Sequence, residues 1–185
     1  MRVIAGTARS MPLKTVPGKD TRPTTDRIKE TLFNILQTDI YDSSFLDLYA
    51  GSGSIGIEAL SRGASRAVFV ENAKAAVKCI NENLKFTKLD EKGIVFEQDV
   101  LSAIAKMDGK YLFDIVFMDP PYGNDYEIDV LKALKNSSII DKETIIIIEE
   151  TLRADLSYIE SSGFNIYKEK HYKTNKHVFF KLADN

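Results

Sequence analysis

From about residue 45 onward, short β-rich runs alternate with stretches of helical character. The runs are rich in β-branched and aromatic residues, and the stretches between them repeat apolar residues at helical spacing. Parallel strands need a long crossover connection, which a helix usually supplies, so the alternation predicts an α/β fold whose parallel sheet has helices on both faces. The predicted strands are Phe45–Tyr49, Ala67–Glu71, Ile94–Gln98, Asp114–Met118 and Thr144–Ile148, and the predicted helices include Ala73–Lys85 and Tyr126–Leu134.

The two ends of the chain depart from that alternation. Near the carboxyl end, Asn165–Lys170 and His177–Leu182 are β-like runs separated by a short turn-prone segment, which predicts an antiparallel hairpin because no crossover helix fits between them. Ahead of the sheet, the cap-forming residues 24–26 precede apolar residues at helical spacing, which predicts one amphipathic helix. Before that helix, Arg2–Gly6 and Pro12–Val16 are predicted to form a small basic hairpin.

Length and composition fit one globular domain. The chain has 185 residues, of which 44% are hydrophobic and 28% charged, values that exclude disordered, collagen-like and coiled-coil proteins. We expect one domain over residues 1–185, in which a basic extension, 1–40, precedes a core, 41–185. Because no apolar run approaches the roughly 18 residues of a membrane helix and no secretory signal is evident, we expect a cytoplasmic protein with no membrane partner. Cys79 is the single cysteine and there are two histidines, so we expect neither an internal disulfide nor a metal centre.

Charge is unevenly distributed along the chain. Overall, 25 Lys and Arg against 27 Asp and Glu give a net charge of -2, which argues against a general binder of polyanions. Residues 1–30 hold seven basic and three acidic residues, a net charge of +4 that leaves -6 for the remainder. Such a basic arm suits a partner that carries phosphates, whereas a solvated charged terminus is the alternative. The candidate contacts in the arm are Arg9, Lys14 and Arg22.

The first predicted strand runs directly into a glycine-rich loop. Residues 51–56 place a Gly-x-Gly-x-x-Gly pattern between a strand and a helix, as in loops that bind cofactors. Glycines let the backbone approach a ligand closely, although an ordinary strand-to-helix turn can also carry them. Glu71 lies 20 residues after Gly51, where a carboxylate can accept from both hydroxyls of a ribose. Asp47, inside the strand, favours a ligand with an amine and a positive charge over a pyrophosphate, and S-adenosylmethionine is such a ligand.

The third predicted strand is followed by a further candidate for cofactor binding. Asp99 is placed to accept a hydrogen bond from an adenine amine, and the alternative is an N-cap for a helix over residues 100–106. Neighbouring residues in the turns that follow these strands complete the cofactor-binding candidates. They are Tyr49, Gly51, Ser52, Gly53, Asn72 and Val100.

The fourth predicted strand ends at Asp119-Pro120-Pro121-Tyr122, the most specific motif in the chain. Two prolines remove two backbone donors and fix the chain, so the Pro120 carbonyl and the Asp119 carboxylate become fixed acceptors at the carboxyl edge of the sheet. Two acceptors that hold both N–H bonds of a nucleobase amine can turn its lone pair toward an electrophile. Tyr122 can stack on a base that is unpaired or flipped. An ordinary turn after a buried strand is the alternative.

The motif and its surroundings resemble class I methyltransferases that use S-adenosylmethionine to methylate exocyclic amines. A narrower resemblance, to the RsmD family, rests on the sequences at residues 22–27, 29–34, 47–53 and 56–64 and covers essentially the whole chain. That family consists of bacterial enzymes that methylate the N2 amine of one guanine, numbered 966, in 16S ribosomal RNA. The resemblance implies a Rossmann-like, mostly parallel sheet of seven strands in the order 3-2-1-4-5-7-6, and a basic extension that meets RNA.

The resemblance also implies roles for individual residues. The cofactor residues are Asp47, Gly51, Gly53, Glu71 and Asp99, the catalytic set is Asp119, Pro120 and Tyr122 with Pro121 between them, and the candidates at an RNA-facing rim are Arg22 and Arg27. For Arg27, an ion pair with Asp26 or Glu30, or a cap on the sheet edge, is the structural alternative. The implied methyl donor is S-adenosylmethionine, and the implied partner is 16S ribosomal RNA or a partly assembled small ribosomal subunit. We expect a monomer, because no unusually apolar stripe is evident.

Three other functions remain open on the sequence. A DNA adenine-N6 methyltransferase shares the four-residue motif, but such enzymes usually carry an added domain that reads duplex DNA. A nicotinamide-dependent oxidoreductase would use the glycine loop and Glu71, but it leaves Asp47 and the proline motif unexplained. A non-enzymatic RNA-binding module would bind RNA whether or not S-adenosylmethionine is present.

Overall fold

The computed structural model, which describes residues 1–16, 26–121 and 126–184, contains one sheet of seven strands. The strands are β1 (Ser44–Leu48), β2 (Arg66–Glu71), β3 (Gly93–Glu97), β4 (Ile115–Met118), β5 (Ile145–Thr151), β6 (Phe164–His171) and β7 (Asn175–Leu182). Their order is β3-β2-β1-β4-β5-β7-β6. Strands β1 to β5 are parallel, and β7 runs antiparallel to both β5 and β6. The order and the directions of the strands confirm the fold expected from the sequence.

Helices cover both faces of this sheet. In the described residues they are α1 (Asp26–Ile35), α2 (Ser54–Ser61), α3 (Lys74–Thr87), α4 (Val100–Met107), α5 (Tyr126–Lys135) and α6 (Ser157–Ser161). Side chains alternate along each strand, so Phe45 of β1 packs with α1, α2 and α3, whereas Leu46 packs with α4 and α5. None of these helices has the length and apolar character needed to span a membrane. The predicted cap residues 24 and 25 lie outside the described residues.

Strands β5 and β7 extend through polar residues beyond the runs that the sequence predicts. β5 continues past its apolar run through Glu149, Glu150 and Thr151, and β7 begins at Asn175 instead of His177. In the register of this pair, Glu149 lies opposite His177 and Thr151 lies opposite Asn175. All of these residues except Thr151 are buried. The extension therefore buries polar side chains beside the carboxyl end of β4.

The amino-terminal segment forms a shorter antiparallel pairing than the predicted hairpin. Arg2 and Pro12 make an isolated antiparallel bridge, and the N–H groups of Val3 and Leu13 donate to the backbone oxygens of Met11 and Met1 at 3.0 and 3.1 Å. The next backbone donors bind helix α2 instead, because the N–H groups of Ile4 and Ala5 donate to the Glu58 carboxylate at 2.8 and 3.0 Å. The segment is therefore held both by its own short pairing and by a helix.

A buried ion pair ties the same segment to the core. The side chains of Glu58 and Lys29 have no exposed surface, and their charged atoms lie 3.5 Å apart. Glu58 also accepts from Arg62 Nε at 2.8 Å, and Lys29 donates to the backbone oxygen of Arg2 at 2.7 Å. Burial lowers the pKa of Lys29, and the nearby Glu58 carboxylate opposes that change. Lys29 is thus an internal cation, so the basic arm offers fewer free charges to phosphates than its composition suggests.

Replacing Glu58 by Gln should lower the free energy of unfolding by about 3–5 kcal/mol, because Lys29 would stay buried without its counter-ion. Urea denaturation followed by circular dichroism would measure the loss. Asp184→Asn is the matched control, since it removes an exposed pair with Lys142 and should leave stability nearly unchanged. Equal losses in the two variants would contradict the structural role of the buried pair.

Candidate active site

A cavity of about 1710 Å³ opens where the parallel strands end. Its walls include residues that follow β1, β2, β3 and β4, the edge at which open α/β sheets bind ligands. Helix α1 and the segment at Thr15 contribute to the lining, as does the β6–β7 turn at Lys173. The cavity thus joins the glycine loop, the Asp119 motif and part of the amino-terminal extension.

The glycine-rich loop leads into helix α2. Gly51 and Gly53 have φ angles of 56° and 77°, a left-handed conformation that glycine adopts without strain. A Cβ atom at Gly51 would meet nothing within 4 Å, so open space lies beside the backbone there. A Cβ atom at Gly56 would lie 2.3 Å from the Phe69 ring. The loop therefore needs glycine for its turn at one end and for close packing of α2 on β2 at the other.

Asp47 lies in β1, and its buried carboxyl group reaches the first turn of helix α2. Its Oδ2 accepts from the Gly56 N–H at 2.9 Å. Burial raises the pKa of Asp47 to about 7, and the nearby Glu71 carboxylate adds to the rise. A bound cation would stabilise the charged form of such a carboxyl. The arrangement therefore suits the positively charged ligand that the sequence predicts for Asp47.

Glu71, at the end of β2, fastens the glycine loop. Its Oε2 accepts from the Gly51 N–H at 3.0 Å, and its Oε1 accepts from the Ala73 N–H at 2.9 Å. Each carboxylate oxygen can accept more than one hydrogen bond, so Glu71 can also accept from a ligand hydroxyl in the cavity. Asn72, the next residue, is exposed and lines the same cavity.

Asp99 caps helix α4. Its Oδ1 accepts from the Ser102 N–H at 2.9 Å, and hydrogen bonds with Ser102 lower the pKa of Asp99. The N-cap alternative is therefore observed. Asp99 and Val100 also line the cavity, and a cap occupies one carboxylate oxygen of two. A contact between Asp99 and an adenine amine stays a prediction.

Asp119 follows β4 at the other end of the candidate site. Asp119 is partly buried and Pro120 is buried, and both line the cavity together with the exposed Pro121. Burial raises the pKa of Asp119 to about 7, and the next largest cause is the charge of Glu149. Asp119 is therefore a carboxyl that changes charge near neutral pH. Tyr122 lies outside the described residues, so its stacking role stays a prediction.

The structure brings most of the candidate residues to one place. Those that line the cavity are Asp47, Tyr49, Gly51, Ser52, Glu71, Asn72, Asp99, Val100, Asp119, Pro120, Pro121 and Arg27. Gly53 instead supports the first turn of α2 as its N-cap, and neither Arg9 nor Lys14 lines the cavity. Lys14 is exposed and pairs with Glu82 at 2.7 Å. Arg22 lies outside the described residues, within which no cluster of His, Cys, Asp and Glu is arranged to hold a metal ion.

Two buried polar atoms lack a hydrogen-bond partner among the described residues, and both belong to residues that line this cavity. They are Gln98 Nε2 and Asn175 Oδ1. Gln98 precedes Asp99 at the predicted cofactor end, and Asn175 begins β7. Sequence reasoning missed both residues because neither belongs to a motif.

Exposed cations on separate elements line the same cavity. Arg27 belongs to α1, whereas Lys170 and Lys173 belong to the β6–β7 hairpin. The structural alternative for Arg27 included a pair with Asp26, but Asp26 pairs with Arg2 instead, at 3.4 Å. The three exposed cations can meet the phosphates of a nucleic acid that enters the cavity. The sequence did not distinguish the hairpin lysines from ordinary solvated ones.

Comparisons with known proteins identify relatives along the whole chain. The family described as "Conserved hypothetical protein 95" matches residues 1–181. The chain is 34% identical over 186 residues to "Ribosomal RNA small subunit methyltransferase D" of Haemophilus influenzae, an alignment that covers 100% of this chain and 94% of the relative. This chain belongs to the RsmD family.

Further RsmD comparisons agree in sequence and in structure. The Escherichia coli K12 protein with the same name is 33% identical over 92% of this chain and 84% of its own length. The solved chain of Escherichia coli yhhF superposes with a TM-score of 0.87 at 30% identity, and the match covers 100% of this chain and 99% of that chain. The resemblance to the RsmD family stated from the motifs is therefore confirmed.

Asp47→Asn should raise the free energy of unfolding at pH 8 by up to about 4 kcal/mol, because the amide buries no charge and can still accept from Gly56. The pKa of Asp47 is about 7 in the folded chain, against an ordinary value of 3.8. The folded state therefore holds the proton more tightly, and the wild-type chain loses stability as the pH rises from about 4 to 7. Urea denaturation at pH 5 and pH 8 would measure the difference between the two proteins.

Asp108→Asn is the control, and its effect on the free energy of unfolding at pH 8 should have the opposite sign. Hydrogen bonds from Ser138 lower the pKa of Asp108, so its replacement should destabilise the chain at pH 8. If Asp47→Asn were also less stable than the wild-type chain at pH 8, the buried charge of Asp47 would not be unfavourable for folding.

Proposed function

We propose that this chain transfers a methyl group from S-adenosylmethionine to the N2 amine of a guanine in 16S ribosomal RNA. The observation that carries the proposal is the placement of Asp119 and Pro120 in the same cavity as Asp47 and Glu71. The first pair suits a nucleobase amine, and the second suits a nucleoside with a positive charge. The names of the relatives, which are ribosomal RNA small subunit methyltransferases, support the substrate class. A ribosomal substrate also fits the cytoplasmic location expected from the sequence.

The cofactor half of the cavity has the donors and acceptors that S-adenosylmethionine requires. When bound, S-adenosylmethionine would supply an electrophilic methyl group on a sulfonium, and transfer would break the methyl–sulfur bond and leave S-adenosylhomocysteine as the neutral product. Glu71 would accept from its ribose hydroxyls, Asp47 would balance its positive charge, and Asp99 would accept from its adenine amine. Two observations support the fit: open space beside Gly51 and the unpaired amide donor of Gln98.

Asp119 and Pro120 would prepare the target amine. The lone pair of a guanine N2 amine is delocalised into the ring, so the amine is a poor nucleophile until acceptors hold its N–H bonds. The Asp119 carboxylate and the Pro120 carbonyl are two such acceptors, and the charge that develops on nitrogen is stabilised by the carboxylate. As nitrogen gains the methyl group, one N–H proton must leave. A carboxylate with a pKa of about 7 can accept that proton near neutral pH.

The RNA would enter between cations and present one base to the cavity. Arg27, Lys170 and Lys173 are exposed beside the site, where they can neutralise phosphates without selecting a sequence. A guanine inside a helix cannot reach Asp119, so the target must be unpaired or flipped, and Tyr122 would stack on it. Contacts from Arg9, Lys14 and Arg22 are proposed for the flanking RNA.

Transfer of labelled methyl from S-adenosylmethionine tests the function directly. The substrates are unmodified small ribosomal subunits, naked 16S ribosomal RNA and unmethylated genomic DNA. We expect label in ribosomal RNA that digests to N2-methylguanosine. The Asp119→Ala variant should lose turnover while its affinity for S-adenosylmethionine stays within about tenfold of the wild-type value, because the Asp119 contacts form to the target amine.

Each other outcome assigns a different function. Label recovered as N6-methyladenine in DNA would keep the chemistry of Asp119 but replace the substrate. RNA binding without any transfer, and with no response to S-adenosylmethionine, would indicate a binding module. Loss of cofactor affinity together with turnover in Asp119→Ala would place Asp119 in the cofactor half of the cavity.

The rate of methyl transfer should rise with pH through about 7. The charged form of Asp119 is the acceptor for the target amine, and this form disappears as the pH falls below its raised pKa. Single-turnover rates at saturating S-adenosylmethionine should fall about tenfold for each pH unit below 7, while Asp119→Asn should be slow and independent of pH. A flat wild-type profile between about pH 5.5 and 8 would exclude Asp119 as the titrating group.

The hairpin lysines should contribute to RNA affinity through charge alone. Replacing Lys170 and Lys173 by Ala should reduce the slope of log affinity against log salt by about 1.4, because two phosphate contacts with roughly 0.7 counterions each are lost. Filter binding of 16S ribosomal RNA at several salt concentrations measures that slope. The control replaces Lys85 and Lys92, two exposed lysines that do not line the cavity, and should leave the slope unchanged. Equal slopes in both double variants would remove the hairpin from the RNA interface.

A further inference from the structure

A network of four hydrogen-bonded side chains joins β5 and β7 beside the cavity. The Tyr172 hydroxyl lies 3.0 Å from His177 Nδ1, and His177 Nε2 lies 3.3 Å from Glu149 Oε2. The Asn175 amide nitrogen donates to the other oxygen of the same carboxylate. His177 is fully buried, and Glu149 and Asn175 are 8% and 7% exposed. This network therefore lies largely away from solvent, while Tyr172, Glu149 and Asn175 line the cavity.

The donors and acceptors of this network determine the orientation of the Asn175 side-chain amide. The Glu149 carboxylate can only accept, so His177 Nε2 and the Asn175 NH₂ group are its donors. In the tautomer that carries its proton on Nε2, the His177 Nδ1 atom can accept from the Tyr172 hydroxyl. With its nitrogen held by Glu149, Asn175 presents its Oδ1 as a free acceptor. The strand register, which pairs Glu149 with His177, holds these groups in place.

The free acceptor has no partner among the described residues. Asn175 Oδ1 is one of the two buried side-chain atoms without a hydrogen bond, and its residue lines the cavity that contains Asp119 and Pro120. Leaving a buried acceptor unpaired costs free energy, so its presence beside a binding cavity points to a ligand donor. The oxygen is shielded from solvent, so the cavity wall around it must open slightly for a ligand to reach it.

We infer that Asn175 Oδ1 accepts from the N1–H group of the target guanine, an inference that rests on the proposed function. Guanine carries three N–H bonds along one edge, two on N2 and one on N1. Asp119, the Pro120 carbonyl and Asn175 supply three acceptors for them. A purine with an unprotonated N1 would place a lone pair against the Asn175 oxygen, so this residue selects guanine among purines that carry the same 2-amino group. Glu149, His177 and Tyr172 act as positioning residues for the amide.

The test compares guanine with 2-aminopurine, which keeps the 2-amino group but has a lone pair at N1. Ribosomal RNA is ligated so that the methylated nucleotide carries either base, and single-turnover transfer is measured at saturating S-adenosylmethionine. Wild-type enzyme should prefer guanine by at least about tenfold. Asn175→Leu should lose most of this preference by slowing transfer to guanine while transfer to 2-aminopurine changes less than about threefold. Asn165→Leu, which replaces an exposed residue of β6, should keep the wild-type preference.

Tyr172→Phe is a second, milder variant for which misfolding is not expected. It removes the hydroxyl that fixes the His177 tautomer, so the preference for guanine should shrink by a smaller factor than in Asn175→Leu. Binding of S-adenosylmethionine at the wild-type affinity confirms that each variant is folded. A guanine preference that is unchanged in both variants overturns the inference while leaving the proposed function intact. Absence of transfer to guanine by the wild-type enzyme overturns the proposed function itself.

Discussion

The shape of the cavity depends on the contacts of one buried carboxylate, that of Glu58. It accepts from two backbone N–H groups of the amino-terminal segment and pairs with Lys29 of α1 and with Arg62. Helix α2, which carries Glu58, begins at the glycine loop, so the segment and α1 are positioned relative to the cofactor half of the site. Both contribute cavity residues, among them Thr15 and Arg27. Without the carboxylate, one side of the cavity would lose its support, and a buried lysine would remain unpaired.

Charge is divided between the interior of the cavity and its exposed edge. Asp47 and Asp119 are buried or partly buried acids, and burial raises the pKa of each, with a smaller contribution from neighbouring carboxylates. Three exposed lining residues, Arg27, Lys170 and Lys173, are cations, and Asp99 and Asp129 are exposed acids of the same lining. The buried acids favour a small positively charged ligand inside the cavity. On the proposed function, the three exposed cations would provide local phosphate contacts in a chain whose net charge is -2.

Local patterns in the sequence were sufficient for the central strands, the glycine loop and the Asp119 motif. Apolar runs identify buried strands, and a left-handed turn such as the one at Gly51 favours glycine. The same reasoning ended β5 too early and began β7 too late, because Glu149 and Asn175 are polar and their burial depends on each other across the sheet. Likewise, nothing local shows that Lys29 is internal, and the amino-terminal pairing is shorter than predicted because the N–H groups of Ile4 and Ala5 donate to Glu58, a residue about 50 positions away.

The antiparallel direction of β7 has a consequence for how enzymes with this fold can diverge. Because β7 runs opposite to β5, the first residue of β7 reaches the carboxyl edge of the sheet, and the turn that precedes it lines the cavity. Most of the predicted cofactor residues, in contrast, follow β1, β2 and β3. On the proposed function, the methyl donor contacts the ends of β1, β2 and β3, whereas the RNA contacts of the β6–β7 turn lie on the other side of the sheet. An insertion or exchange near Lys173 would then alter those RNA contacts without touching the residues proposed for the methyl donor, so the two sets of contacts could diverge independently.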